Sequence, residues 1–536
     1  MNTERTLPTE ETPSPSSPFG ETVSRTVPGV AWWLPFVGLV VALLCTPFFR
    51  VIFWTGDEGV LLDGAQRILQ GERLYADFFE ALPPGGLLFT AAWLGTVGLS
   101  FWSARLLALL TLVGIACFTH LACLRASKNA PLSAFLAIGC IGIPVSQTSL
   151  SMMTINHHWF TTLFSMVAVW AGLTSVERPA HSRRWPLISG IAGGMAAMVV
   201  PTCGSLAALA GASAFSNLHN HRTEMGAYVA GVLVIPLGLL AYVIGNHLFT
   251  AAFDDVILFP FYRYSSIQGV PFATWANGVT RPLKYLYPLT GLLAAIVYVR
   301  GWQSRPDRPL RLCVAFAVAG LIASYPRPDI FHIIFTAPLA CPLLACCADR
   351  IGRRVRPRYR AIAVGAVLLL CVPAARSYWV DQMKALHAGR VPTPRGDTVF
   401  LGQRGTPEIL ARIAQTPSAD RYFFYPYMPM MPFLTARAQV SQVDLFTPEF
   451  TMPSQYLDAC VSVMRQATWV VIDRRWTDPR WLKRIFPSMR NPRPEETVRF
   501  EYALDSAFDL VGTDDTFELR HRRSDASEAL CTGIAG

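Results

Sequence analysis

The sequence predicts an α-helical polytopic membrane protein carrying a mixed α/β soluble domain at its C-terminal end. Three observations carry that prediction. Of 536 residues, 52% are hydrophobic and 15% charged, and the mean hydropathy is +0.34, which is too apolar for a soluble chain of this size. Apolar windows long enough to span a hydrocarbon core of ~30 Å recur from Ala31 to about Tyr378. Beyond that point the sequence becomes ordinary and charged. The chain therefore divides into a tail over 1–30, a membrane domain over 31–379 and a soluble domain over 380–536.

The tail is rich in Pro, Ser, Thr and Glu, lacks apolar periodicity and reads as a disordered cytoplasmic segment. It is too long and too acidic for the basic region of a cleaved signal peptide, so the run from Ala31 reads as a retained helix. A net charge of +10 raises the question of nucleic acid, but the basic residues cluster between apolar runs. The clusters are Arg125 and Lys128; Arg178, Arg183 and Arg184; His221 and Arg222; Arg300 to Arg311; and Arg350 to Arg360. By the positive-inside rule these are cytoplasmic loops, and no nucleic-acid partner is expected.

With those loops inside, passes fall at Ala31–Phe53, Phe101–Leu124, Pro131–Leu150 and Asn156–Ser175, then at a short pair, Pro186–Val200 and Gly204–Phe215. Met225–Phe249, Leu283–Val299, Leu312–Ser324, Phe331–Ala348 and Ala361–Tyr378 complete a set of about eleven transmembrane helices. An odd count puts the soluble domain and the loop at Asp57 on one outer face, the periplasmic side of a bacterial inner membrane. The stretch Gly85–Leu99 fits as a short helix in the outer interface rather than as a pass. Most of the twelve cysteines lie in apolar runs, as small buried hydrophobes. Cys460 and Cys531, outside the membrane part, are the pair that could form a disulfide.

In the soluble domain, Thr406–Ala414 and Pro453–Arg465 read as helices, and Arg421–Tyr425, Thr468–Ile472 and Thr516–Leu519 as strands. The aromatic, Pro-rich run Tyr422–Phe433 could cover a membrane cavity, grip an acceptor or form a domain interface.

The first outer loop, Trp54 to Gly86, carries the most chemical information. It opens with the adjacent acids Asp57 and Glu58, continues with Asp63, Glu72, Asp77 and Glu80, and ends at Pro83 and Pro84. The same topology brings four other segments to this face: Met152–Trp159 with His157 and His158; Pro201–Gly204; Ala252–Arg281 with Asp254, Asp255, Tyr262, Arg263 and Tyr264; and Tyr325–His332 with Arg327. Ionisable groups at membrane depth are costly and line pathways or pockets. An acid here can take a proton from an acceptor hydroxyl so that the oxygen attacks a sugar's anomeric carbon. Arg327 and His332 can hold a leaving phosphate, whose charge a guanidinium binds in bidentate fashion.

The pattern Asp57-Glu58 after a first apolar helix, followed by Gly64-Ala65, Gly71, Leu74-Tyr75, Asp77 and Pro83-Pro84, resembles the C-type integral membrane glycosyltransferases. Within them it is most similar to the branch of the bacterial aminoarabinose lipid A transferases and the protein O-mannosyltransferases. The resemblance implies a polyprenyl-phosphate-linked sugar donor, a lipid, glycan or protein acceptor, and Asp57 as catalytic base with Glu58 beside it. It also implies that Arg327 and His332 hold the donor phosphate, and that His157 or His158 joins the substrate pocket with Tyr75 and Asp77. The chain departs from the aminoarabinose enzymes in carrying Leu82-Pro83 where they have Lys-Pro, and Thr202 where a Lys is common.

Each residue also has a structural reading. Asp57 could cap a helix, Glu58 could favour the helix dipole, and Tyr75 and Asp77 could shape a turn. Arg327 could pair locally with Asp329, and His332 could be an interfacial residue. No cofactor is expected. A divalent metal on His157 or His158 with Asp57 and Glu58 lacks any tight ligand spacing to support it. No Walker pattern, Gly-rich nucleotide loop or nucleophile elbow occurs, which disfavours ATP and nucleotide sugars. The sequence thus leads to a polyprenyl-phosphate-dependent glycosyltransferase moving a hexosyl or pentosyl group. The alternative is a transporter or flippase of a lipid-linked or anionic substrate, though the inverted repeats typical of transporters are not evident.

Overall fold

A computed structural model describes residues 32–52, 56–145, 152–177, 182–215, 218–300, 308–402, 405–514 and 516–534. The predicted disordered tail, Trp54 and Thr55 at the head of the first loop, and Arg178 lie outside the described residues.

A helix occupies each predicted apolar run. The first is α1 (Trp33–Cys45), followed by the two-residue strand β1 (Val51–Ile52), α2 (Asp57–Leu69) and α3 (Gly85–Val97). Next come α4 (Phe101–Ser127), α5 (Ala130–Val145), α6 (His157–Glu177), α7 (Arg184–Ala197), α8 (Pro201–Ala212) and α9 (Leu218–Gly245). The connection after α9 holds only the short α10 (Phe249–Phe253) and α11 (Ser265–Ile267) with π-helical turns between them. Then α12 (Leu286–Val299), α13 (Arg308–Ala323), α14 (Ile330–Arg354) and α15 (Pro357–His387) complete the apolar set. Among the described residues, six helices are long and apolar enough to cross a membrane, α4, α6, α14 and α15 among them.

The central helices are α4, which packs on α1, α5, α6 and α14, and α14, which also packs on α12 and α13. The hairpin α7–α8 stands against α6, α9 and α13, and Gly204 permits its close turn: a Cβ there would lie 2.1 Å from the Ala196 carbonyl carbon. By contrast α15 turns almost its whole surface outward, as a helix facing lipid would.

Beyond α15, β2 (Val399–Phe400) pairs in parallel with β1, tying the head of the first loop to the C-terminal part. The remaining elements are α16 (Thr406–Ala414), β3 (Tyr422–Tyr425), α17 (Met430–Thr435), α18 (Pro453–Gln466) and β4 (Trp469–Asp473). After them come α19 (Arg474–Thr477), α20 (Pro479–Ile485), α21 (Glu495–Ala507), β5 (Phe508–Thr513) and β6 (Phe517–Arg522). Strands β3 to β6 form one sheet in the order β3-β4-β6-β5, with β3 parallel to β4 and the other pairs antiparallel. The sheet is apolar on both faces at its centre: Phe424 and Val471 pack toward the α2–α3 side, Phe423 and Val470 against α18 and α21. A disulfide joins Cys460 on α18 to Cys531 near the end of the chain.

The two parts meet where α17 crosses α2. Gly59 makes this crossing: a Cβ at that position would lie 2.1 Å from the Met430 backbone nitrogen, closer than any atoms pack. The Gly59→Ala variant is therefore expected to push α17 off α2, read as faster protease cleavage of the segment after α15, with the spans still inserted. Unchanged cleavage would contradict the tight crossing.

Candidate active site

Helix α2 begins at Asp57 because an apolar run ends there and Gly56 occupies its N-cap without any side-chain cap. Asp57 is thus not spent on capping. Its side chain is exposed, and Oδ1 accepts a 2.6 Å hydrogen bond from the Tyr427 hydroxyl. Tyr427 is buried against Trp476, with ring centroids 5.2 Å apart. Burial and the Asp57 charge push its phenol well above the usual range, so it serves as a proton donor in that bond.

Glu58 points the opposite way. It is 4% exposed, ion-paired with the fully buried Arg105 of α4, and Oε1 accepts a 3.0 Å bond from the Ile155 amide. Arg105 in turn donates to the Val51 carbonyl at 2.8 Å and lies over the Phe101 ring. The pair locks the start of α2 onto α4 and onto the irregular segment that precedes α6.

After that segment, α6 begins at His157. His157 lies in the field of both Asp57 and His332. The His157 and His158 rings pack tilted to each other at 4.4 Å between centroids, His158 meets His332 edge-on at 4.9 Å, and it stacks on Phe335. Asp329 organises the far side of this group. It caps α14 by accepting from the Phe331 and His332 amides, bonds His332 Nδ1 at 2.8 Å and pairs with Arg327 Nε at 2.9 Å. The remaining Arg327 nitrogens donate to Gln268 Oε1 at 2.7 Å and to the Ile485 carbonyl of α20 at 2.9 Å, with the guanidinium between the Trp275 and Phe486 rings. Tyr264 lies within the electrostatic reach of Asp57, Arg327 and Asp329 alike, and burial raises its phenol above the ordinary value.

Asp57, His157, His158, Arg327 and His332 are thus brought into one patch. Tyr75 and Asp77 lie in the turn after α2 instead. Tyr75 sits at φ 72° and donates to the Leu82 carbonyl at 2.7 Å. The Arg73 side chain and amide hold the Asp77 carboxylate below the usual range. Among the described residues no three His, Cys, Asp or Glu side chains converge as metal ligands.

Sequence reasoning did not identify Tyr427, Arg105 or Gln268. Arg105 had a signal, as the lone ionised residue deep within an apolar run. Tyr427 had only its place in the aromatic run, 370 residues from its partner.

Beside the patch, burial pushes the Glu80 carboxyl up to about 7, against a hydrogen bond from the Leu82 amide and with the charge of Asp444 adding to the rise. The Asp255 carboxyl, mostly through burial, is also pushed up to about 7. The folded protein then holds these protons to higher pH than the unfolded chain does. The stabilisation is complete below about pH 4.5 and is lost as pH rises toward 7, by roughly 2–4 kcal/mol for a shift of this size. Thermal unfolding in detergent is expected to shift to lower temperature between pH 5 and pH 8, and Glu80→Gln to flatten that slope. An unchanged slope in the variant would assign it elsewhere.

No family model matches the chain, and no curated protein matches it. Solved structures do. ArnT from Cupriavidus metallidurans bound to undecaprenyl phosphate aligns with a TM-score of 0.56 and 16% identity over 94% of this chain and 99% of that one. Its apo state aligns at 0.52 and 14% over the same shares. The archaeal oligosaccharyltransferase AglB from Archaeoglobus fulgidus, in complex with an inhibitory peptide and a dolichol-phosphate, aligns at 0.50 and 11% over 93% and 75%. The chain shares the fold of these solved structures.

Proposed function

We propose that this protein transfers a hexosyl or pentosyl group from a polyprenyl-phosphate-linked donor to a lipid, glycan or protein acceptor at the outer face of a bacterial inner membrane. The observation that carries this reading is the exposed Asp57 carboxylate, continued by His157 and His158 to the Arg327–Asp329–His332 group on the same face. A base and groups that hold a phosphate are the two parts such a transfer needs, and in this reading both lie on one face.

In the proposed reaction Asp57 takes the proton of the acceptor hydroxyl as its oxygen bonds to the anomeric carbon. The bond from that carbon to the phosphate oxygen breaks in the same step, with inversion, and polyprenyl phosphate leaves. Arg327 and His332 stabilise the charge that develops on it. Arg327 is occupied by two neutral acceptors, Gln268 and Ile485, and a phosphate would displace them because charge-assisted bonds are the stronger. Asp329 stays behind to orient both side chains. Glu58, engaged with Arg105, supports the start of α2 and does no chemistry in this scheme.

In this reading the chain crosses the membrane about eleven times with its tail inside, which would put this face and the C-terminal domain in the periplasm. The Cys460–Cys531 disulfide supports that side, since such bonds persist in oxidising compartments. The test is to supply membranes bearing the protein with a panel of radiolabelled polyprenyl-phosphate sugars. Label appearing on an acceptor supports the proposal and names the donor. Label crossing the bilayer still attached to its lipid would favour a flippase instead.

A further inference from the structure

We propose that Tyr427, contributed by the soluble domain, is a positioning residue for Asp57, its hydroxyl holding one carboxylate oxygen and leaving the other to take the acceptor proton. The inference rests on the reading of Asp57 as the base, and it gives the soluble domain a direct part in the site.

The geometry is specific. The 2.6 Å bond joins an exposed carboxylate on α2 to a phenol whose ring is 7% exposed. The backbone carrying that phenol is fixed on both sides: Pro426 accepts from the Phe446 amide at 2.9 Å, and α17, three residues on, is seated on Gly59. Trp476 closes the ring from behind. The hydroxyl therefore reaches Asp57 from a rigid mount, and it does so through the same α17–α2 crossing that joins the two parts of the chain.

The groups that face Asp57 come from three elements: His157 on α6, Tyr264 on the connection between α9 and α12, and Tyr427. Glu58, the adjacent acid, is paired with Arg105 and turned inward, while the charges of Glu80 and Asp444 also act on Tyr427. Loss of the Tyr427 hydroxyl removes the bond that fixes one Asp57 oxygen, so the carboxylate is free to rotate and its second oxygen is no longer held in one place as a base must be.

The experiment uses the full chain reconstituted in lipid bilayers. Tyr427→Phe keeps the ring against Trp476 and removes only the hydroxyl. With the donor supplied, it is expected to reduce kcat by about tenfold, less than the roughly 10²–10⁴-fold of losing the base itself, while KM and the thermal midpoint change little. Replacement of Tyr427 by 3-fluorotyrosine, which supplies a hydroxyl donor in nearly the same volume, is expected to keep wild-type kcat. In the Asp57→Asn background Tyr427→Phe is expected to cost nothing further, because the bond then positions no base. A kcat that Tyr427→Phe leaves unchanged, or a loss that 3-fluorotyrosine shares, would overturn the role of Tyr427. Turnover that survives Asp57→Asn would instead overturn the base.

Discussion

Asp57→Asn is expected to lower kcat by roughly 10²–10⁴-fold with little change in KM, because removing a general base removes an interaction made only in the transition state. The substitution keeps the side-chain volume, and the amide oxygen can still accept from the Tyr427 hydroxyl at the place where Oδ1 does so now. The N-terminus of α2 does not depend on this side chain either, since Gly56 is the N-cap and no side-chain cap bond exists. Fold and donor binding should therefore persist. Equal thermal midpoints for wild type and variant, together with lost turnover, would separate a chemical role from a structural one. A variant that unfolds or fails to insert would indicate that Asp57 serves the fold.

The second large effect is on stability. Arg105→Met should destabilise the protein by about 3–5 kcal/mol, because it leaves the Glu58 charge buried without its partner. Glu58 Oε2 already has no hydrogen-bond partner, so little else is available to receive the charge. The matching double variant, Glu58→Leu with Arg105→Met, should recover much of the loss, since replacing both members of a buried pair by apolar groups is often neutral. Thermal unfolding of the three proteins in one detergent measures this. A single variant as stable as wild type would mean that water or lipid headgroups reach Glu58.

What was legible in the sequence follows physical rules that act locally. The apolar runs announced their helices because span length is set by the bilayer, and α16 occupies the predicted Thr406–Ala414 because a three-to-four-residue apolar spacing fills it. Strand β5 went unseen: Leu510 and Val511 are exposed on the edge of the sheet, so burial imposes no alternation there. Helix α15 continues past Tyr378 to His387, through a polar segment held by the Asp381–Lys384 pair, beyond where hydropathy could follow it. In the site, Asp57 stood out as an acid where an apolar run stops, and Arg327 with His332 as ionisable groups wedged between two runs. The distinct placements of Asp57 and Glu58 were not legible. Adjacent residues on a helix point about 100° apart, and which one faces inward depended on Arg105, on another helix. Tyr427 was further out of reach, because its role exists only once the soluble domain has docked.

The most direct test of the account is release of polyprenyl phosphate from a labelled donor by wild type and Asp57→Asn side by side in reconstituted vesicles. The account predicts one polyprenyl phosphate released for each sugar transferred by wild type, and release by the variant reduced at least a hundredfold, in line with loss of a general base. Equal release by both, or movement of the intact donor across the bilayer with none released, would contradict it.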